Sequence, residues 1–139
     1  MKRYLVDTNI ICFLFNEKER LERWILDILE DYGNRIYTSS ECVKELINLH
    51  QSGKIEIGMW KKPEDIVDFI INETDIEIKY VKEEHLRTLA NLKTFSEHKD
   101  PSDRVIVSQA ITEKIPLISS DRKFFYYENS GLDFVYNRR

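Results

Sequence analysis

The chain reads as an α/β protein: a three-layer α/β/α sandwich around a mainly parallel, five-stranded sheet, in one domain spanning residues 1–139. Three observations predict this. Short apolar runs alternate with longer segments of helical period, the pattern of strands joined by crossover helices. Val105, Ile106, Val107, Ala110 and Ile111 form a nearly unbroken apolar run behind a helix start at Asp100-Pro101, too greasy for a surface helix and suited to one lying on a sheet. A length of 139 residues supports one sizeable core.

The elements follow in order. Arg3 to Val6 is a short apolar strand that stops at Asp7-Thr8-Asn9, a turn rich in capping residues, so a helix begins near Ile10 and Asp7 sits at a strand's carboxyl end. Leu21, Trp24, Ile25, Ile28 and Leu29 recur at helical spacing until Gly33-Asn34, and Arg35 to Thr38 reads as a second strand. Ser39 or Ser40 then caps a helix with Cys42, Leu46 and Leu49 on one face. Glu45 falls on that same face, and a carboxylate on a core-facing stripe is costly unless something compensates it.

After the break at Gln51-Ser52-Gly53, Ile55, Ile57, Met59 and Trp60 show no helical period. They read either as a loop folded on the core or as an apolar arm for a partner. Pro63 opens a helix with Ile66, Phe69 and Ile70 inward. Ile76, Ile78 and Tyr80 alternate as a strand does, Glu83 to Leu92 is a helix, and Lys93 to Lys99 is a polar loop. The stretch from Asp100 to Asp121 organises the rest. Asp100 caps a helix with Pro101 at its first position, Pro116 ends the pattern, and Leu117-Ile118 form a strand running into Ser119, Ser120 and Asp121. In parallel sheets the starts of such helices and the ends of such strands share one rim, where ligands bind. A last strand spans Leu132 to Tyr136.

Composition removes several classes of function. With 42% hydrophobic and 33% charged residues the chain is globular rather than disordered. No apolar run approaches the roughly 20 residues of a membrane span, and the start, Met-Lys-Arg-Tyr-Leu-Val-Asp, lacks the features of a signal peptide. A cytoplasmic protein with Cys12 and Cys42 as reduced core thiols is expected. No cysteine or histidine pair has zinc-ligand spacing. A net charge of −4 argues against nucleic-acid binding through overall charge, though not against a local site. His50, His85 and His98 stand isolated, with His98 expected in a surface loop rather than as a catalytic base. Trp24 and Trp60 are expected to be packing residues.

Asp7, Glu45, Asp100, Asp103 and Asp121 thus fall at successive strand and helix junctions. Taken singly, Asp7 and Asp100 serve as helix caps, Asp103 answers the helix dipole, Asp121 opens a turn and Glu45 pairs with a buried arginine. If they converge, bare carboxylates do not suffice: two such charges about 4 Å apart repel by roughly 4 kcal/mol at an effective dielectric near 20. Hard oxygen donors without Cys or His suit Mg²⁺ or Mn²⁺, and the reaction class that implies is phosphoester hydrolysis.

The ordered set V-D-T-N (6–9), S-S-E-C-V-K-E-L (39–46), H-K-D-P-S-D-R-V-I-V-S-Q-A (98–110) and P-L-I-S-S-D (116–121) resembles the PIN domain. More narrowly, it resembles the VapC-type toxin ribonucleases of bacterial toxin–antitoxin modules. The resemblance covers nearly the whole chain. It implies four catalytic acids, Asp7, Glu45, Asp103 and Asp121, with Asp7 and Asp103 as direct ligands of Mg²⁺ or Mn²⁺. Glu45 and Asp121 then bind a second metal, hold waters or orient the attacking water. Asn9, Asp100 and Ser119 support the site, Asp100 as a cap first. Lys99, Arg104, Arg122 and Lys123 are candidate contacts to RNA phosphates. Ser102 stands where relatives often carry an aromatic. The implied reaction is attack of water on an RNA phosphodiester, leaving a 5′-phosphate and a 3′-hydroxyl, with an antitoxin protein and a second copy of the chain as partners and no membrane. Two other readings compete: a protein-interaction module, antitoxin-binding or a dimer scaffold without nuclease activity, and a Mg²⁺-binding receiver domain. A receiver needs an acid pair after the first strand, where Thr8 and Asn9 stand, and a lysine after the last, where Asn137 stands.

Overall fold

The computed structural model describes residues 1–138. Its sheet holds five strands: β1 (Arg3–Val6), β2 (Arg35–Ser39), β3 (Glu77–Lys79), β4 (Leu117–Ser119) and β5 (Phe134–Tyr136). They lie in the order β3-β2-β1-β4-β5, and every pairing is parallel. Six α-helices flank it: α1 (Thr8–Asn16), α2 (Arg23–Glu30), α3 (Ser40–Gln51), α4 (Pro63–Glu73), α5 (Glu83–Asn91) and α6 (Pro101–Glu113). Two 3-10 segments, Lys18–Arg20 and Arg122–Ser130, complete the described chain.

The strand period of two divides the core. Tyr4, Val6, Ile36 and Ile118 face a cluster built with Ile10, Ile25, Leu46, Ile66 and Ile70. Leu5, Tyr37 and Leu117 face the opposite cluster, with Ile106, Val107, Ala110, Phe124 and Tyr127. Both sheet faces are therefore covered, which is why β1 and β4 read as continuous apolar runs. No described helix is long and apolar enough to cross a membrane.

The order places the switch of direction between β1 and β4. Asp7 leaves the carboxyl end of β1, and Ser119 and Asp121 lie at the carboxyl end of β4. Helix α6 runs down to feed β4, so its first turn, with Asp103, starts at that same rim.

Several expected boundaries move. The first helix opens at Thr8, because Asp7 itself occupies the capping position. In α2 the inward residue is Ile25, and Trp24, one step round the helix, is half exposed rather than packed. The 55–60 segment is a loop on the core: Ile57 and Trp60 are buried, and Trp60 meets Phe69 edge-on at 5.7 Å. Its carbonyl lies 2.8 Å from His50 Nε2, so that histidine is not isolated. Met59 is left exposed. The last strand is shorter than expected, since Leu132 packs in the core before pairing begins.

Helix α6 ends on Lys114 in the left-handed region, φ 56°. A side chain there costs energy that glycine avoids. Lys114→Gly is expected to raise stability by about 0.5–1 kcal/mol in denaturant unfolding.

Candidate active site

Asp7 is buried at the end of β1, and its carboxylate is held from three sides. Oδ1 accepts the Thr8 N–H at 2.8 Å. Oδ2 accepts the Ser119 hydroxyl at 2.7 Å and the Asn9 amide at 3.3 Å. Ser119 Oγ in turn accepts from Asn9 Nδ2 (3.2 Å) and from the Asp121 N–H (3.0 Å). The Ser120 N–H donates to Asn9 Oδ1 at 3.1 Å. One hydroxyl thus joins the end of β1 to the end of β4, and Asn9 braces the joint. Asn137, whose part the sequence did not reveal, fixes the rim from below: it is fully buried and donates to Ser120 Oγ at 2.8 Å and to the Arg20 carbonyl.

Asp103 stands in the first turn of α6. Asp100 caps it, accepting the Asp103 N–H at 3.1 Å. Asp121 accepts the Lys123 N–H at 2.9 Å and so opens the following 3-10 segment. Glu45 is half-buried on α3 and, among the described residues, makes no hydrogen bond or ion pair. The buried-arginine account of Glu45 therefore fails. Ser102 donates to Glu41 Oε1 at 3.0 Å, a polar tie between α6 and α3 in place of aromatic packing.

The charges feel one another. Burial pushes the Asp7 carboxyl up to about 7, the Ser119 hydrogen bond opposes this, and Asp103 and Glu45 add to the rise. Burial pushes Asp103 to about 7 as well, helped by Asp100, Asp121 and Glu45. Asp7 thus feels Asp103 and Glu45, and Asp103 feels Asp100, Asp121 and Glu45. The Cys42 thiol, 3.8 Å from Asp7 Oδ1, is pushed upward by its own burial and then by Asp7, so it stays protonated. Cys12 is raised to about 11, chiefly by burial and next by Glu45. Neither thiol is set up as a ligand, and the donor set that remains is hard carboxylate oxygen, which fits a small divalent cation.

The described residues also contain one tighter group. Ligand atoms of Glu84, His85 and Glu113 lie within 4.8 Å of one another, on α5 and the end of α6. Its chemistry is that of an ion-pair knot. His85 Nδ1 accepts the Lys82 N–H at 3.0 Å, so Nε2 carries the proton and donates to Glu113 Oε2 at 2.9 Å. Lys79 Nζ holds the other Glu113 oxygen at 3.2 Å. A proton and an ammonium already stand where an ion would have to sit.

Of the four basic residues singled out for phosphate, Lys99, Arg122 and Lys123 are exposed at the rim with no acidic partner among the described residues. Arg104 is otherwise engaged. Its guanidinium donates to the Lys93 and Leu92 carbonyls at 2.9 and 3.2 Å and reaches the Tyr127 hydroxyl at 3.5 Å. His98 lies in the expected loop but is not at the surface. It is buried, 3% exposed, with Nε2 3.0 Å from Asp103 Oδ2 and Nδ1 2.7 Å from the Tyr127 hydroxyl. The polar loop that carries it is pinned by Phe95, which stacks on Tyr126 (5.3 Å) and meets Tyr127 edge-on (5.2 Å).

Fold and site together define an α/β protein with acids gathered at the switch point of a parallel sheet. The PIN domain family model matches residues 4–129, and the chain belongs to that family. Among solved structures it is similar to a chain of VapBC2 from Rickettsia felis bound to a promoter DNA fragment, with 24% identity, TM-score 0.71, and coverage of 97% of this chain and 98% of that one. It is similar to VapBC-1 from nontypeable Haemophilus influenzae, with 20% identity, TM-score 0.66, and 96% and 97% coverage. FitAcB from Neisseria gonorrhoeae matches at 19% identity, TM-score 0.67, and 96% coverage of each chain. No curated protein sequence matches it.

The unpaired Glu45 gives a local test. Glu45→Gln is expected to leave the melting temperature of the metal-free protein equal or higher. A large loss of stability would assign Glu45 to packing instead.

Proposed function

We propose that this chain is a divalent-ion-dependent endoribonuclease, the toxin of a type II toxin–antitoxin module, acting in the cytoplasm as a homodimer with an antitoxin protein as partner. The observation that carries the reading is the placement of Asp7, fixed by Ser119 and Asn9 at the end of β1, and Asp103, in the first turn of α6 at the same rim, two carboxyls that burial pushes up to about 7. Such a pair favours either protons or a cation. Asp7 and Asp103 would hold Mg²⁺ or Mn²⁺, with Glu45 and Asp121 beside them for a second ion or its waters. Bound there, the ion supplies a water of lowered pKa and a counter-charge for the phosphate.

The chain's own residues do the rest. Ser119 and Asn9 fix the Asp7 carboxylate, so that it does not reorient when charge develops. Asp100 sets the first turn of α6 and with it the position of Asp103. Lys99, Arg122 and Lys123 place the phosphates of RNA over the acids and offset the negative rim for an anionic substrate. Membership of the PIN family and the likeness to chains of VapBC complexes support the toxin–antitoxin assignment.

The test is incubation of purified protein with end-labelled RNA in Mg²⁺, Mn²⁺ or EDTA. Cleavage in the ions and none in EDTA, with 5′-phosphate products, is the expected result. Intact RNA in Mn²⁺, with partner binding preserved, would instead favour the pure interaction module. A small DNA-binding protein encoded beside this gene, co-purifying with it, is the expected antitoxin.

A further inference from the structure

We infer that His98 is a positioning residue for Asp103, held in its working tautomer by Tyr127. This rests on the divalent-ion reading of the acids above. Two stretches close a ring here: His98 in the loop leading into α6, with Asp103 and Arg104 in the first turn of that helix, and the 3-10 segment after β4, which brings Tyr127 from 29 residues away. Tyr127 is fully buried and His98 nearly so. His98 also packs against the Phe124 and Tyr127 rings at 5.9 and 5.3 Å.

The directions of the hydrogen bonds are set by chemistry. An Asp103 that holds a cation is ionised and only accepts, so His98 Nε2 must carry the proton and donate to Oδ2 across 3.0 Å. Nδ1 is then an acceptor, and the Tyr127 hydroxyl donates to it across 2.7 Å. An Arg104 N–H points at the Tyr127 oxygen from 3.5 Å. Every donor in the chain Arg104, Tyr127, His98 points toward Asp103, an arrangement in which each bond polarises the next. Asp103 Oδ1 has no protein donor among the described residues, so the relay holds one oxygen and leaves the other for the ion. Partners of this kind fix the orientation of a metal-holding carboxylate, and losing one weakens metal binding by about 10–100-fold.

The geometry also accounts for Arg104. Tied to the carbonyls of Leu92 and Lys93, it anchors the start of the His98 loop rather than reaching for RNA.

The experiment is calorimetric titration of Mn²⁺ into metal-free full-length protein, with melting temperature measured on the same samples. His98→Ala is expected to weaken Mn²⁺ binding by about 10–100-fold. His98→Gln, whose side-chain amide can still donate toward Asp103, is expected to bind close to the unaltered protein. Tyr127→Phe keeps the ring but removes the donor to Nδ1, and it is expected to fall between the two. Mn²⁺ affinity unchanged in His98→Ala overturns the assignment. So does equal weakening in His98→Ala and His98→Gln that follows their loss of melting temperature, which marks a packing role. Should His98→Ala not fold, His98→Gln against Tyr127→Phe decides on the same criteria. Absence of Mn²⁺ binding in the unaltered protein overturns the ion reading itself, and this assignment with it.

Discussion

Asp7→Asn is expected to abolish divalent-ion-dependent cleavage and, in metal-free buffer at pH 8, to melt no lower than the unaltered chain. The substitution keeps shape and the acceptor oxygen that takes the Thr8 N–H, while its amide replaces the oxygen that accepts from Ser119 and Asn9, a cost of about 1–3 kcal/mol that does not vary with pH. It removes the charge that would hold the ion. An ion's stabilisation of charge in the reaction amounts to several kcal/mol, which at about 1.4 kcal/mol per factor of ten is a loss of roughly a thousandfold or more. The stability half follows from linkage. The Asp7 pKa is raised from its ordinary 3.8 to about 7, so the fold prefers the protonated carboxyl. Its contribution is fully present below pH 4 and is lost as pH rises through 7. Asparagine carries no such dependence. The melting temperature of Asp7→Asn relative to the unaltered chain should therefore rise steadily from pH 5 to pH 8, by the equivalent of about 2–4 kcal/mol. A pH-independent difference, or full activity, would remove Asp7 from the site.

The second large effect is stabilisation by the ion itself. Mn²⁺ at about a hundred times its dissociation constant adds roughly 2.7 kcal/mol to the folded state. For a chain of this size that is a rise in melting temperature of about 5–10 °C. The rise should be largest near pH 8 and shrink toward pH 5, because below about 7 the ion must displace protons from Asp7 and Asp103. Differential scanning fluorimetry at both pH values, with EDTA as control, measures this. A rise that is equal at both pH values, or that persists undiminished in Asp7→Asn, would place the ion elsewhere.

The frame of the site was legible because it depends on local rules. A strand that stops at Asp-Thr-Asn, and a helix that opens at Asp-Pro, put Asp7 and Asp103 at chain positions whose spatial meaning a parallel sheet dictates. Glu45 was visible as a carboxylate on an apolar stripe, and it is indeed without a partner among the described residues. What escaped was set by contacts between distant segments. His98 sits in a loop of polar residues and looks solvated; its burial comes from Phe95 stacking on a 3-10 segment some thirty residues later. Asn137 lies near the chain's end and braces Ser120 only because β5 pairs beside β4. The commitment of Arg104 to two carbonyls depends on where α5 ends, which no motif encodes. Trp24 failed for a simpler reason: on a helix with a narrow buried stripe, one step of rotation separates the core from solvent.

The most direct measurement is the location of Mn²⁺ by anomalous scattering in crystals of the full chain soaked at pH 8. A peak contacting the carboxylates of both Asp7 and Asp103, within reach of Glu45 or Asp121, is the expected result. A peak confined to Glu84, His85 and Glu113, or no bound ion at an Mn²⁺ concentration that supports RNA cleavage, would contradict it.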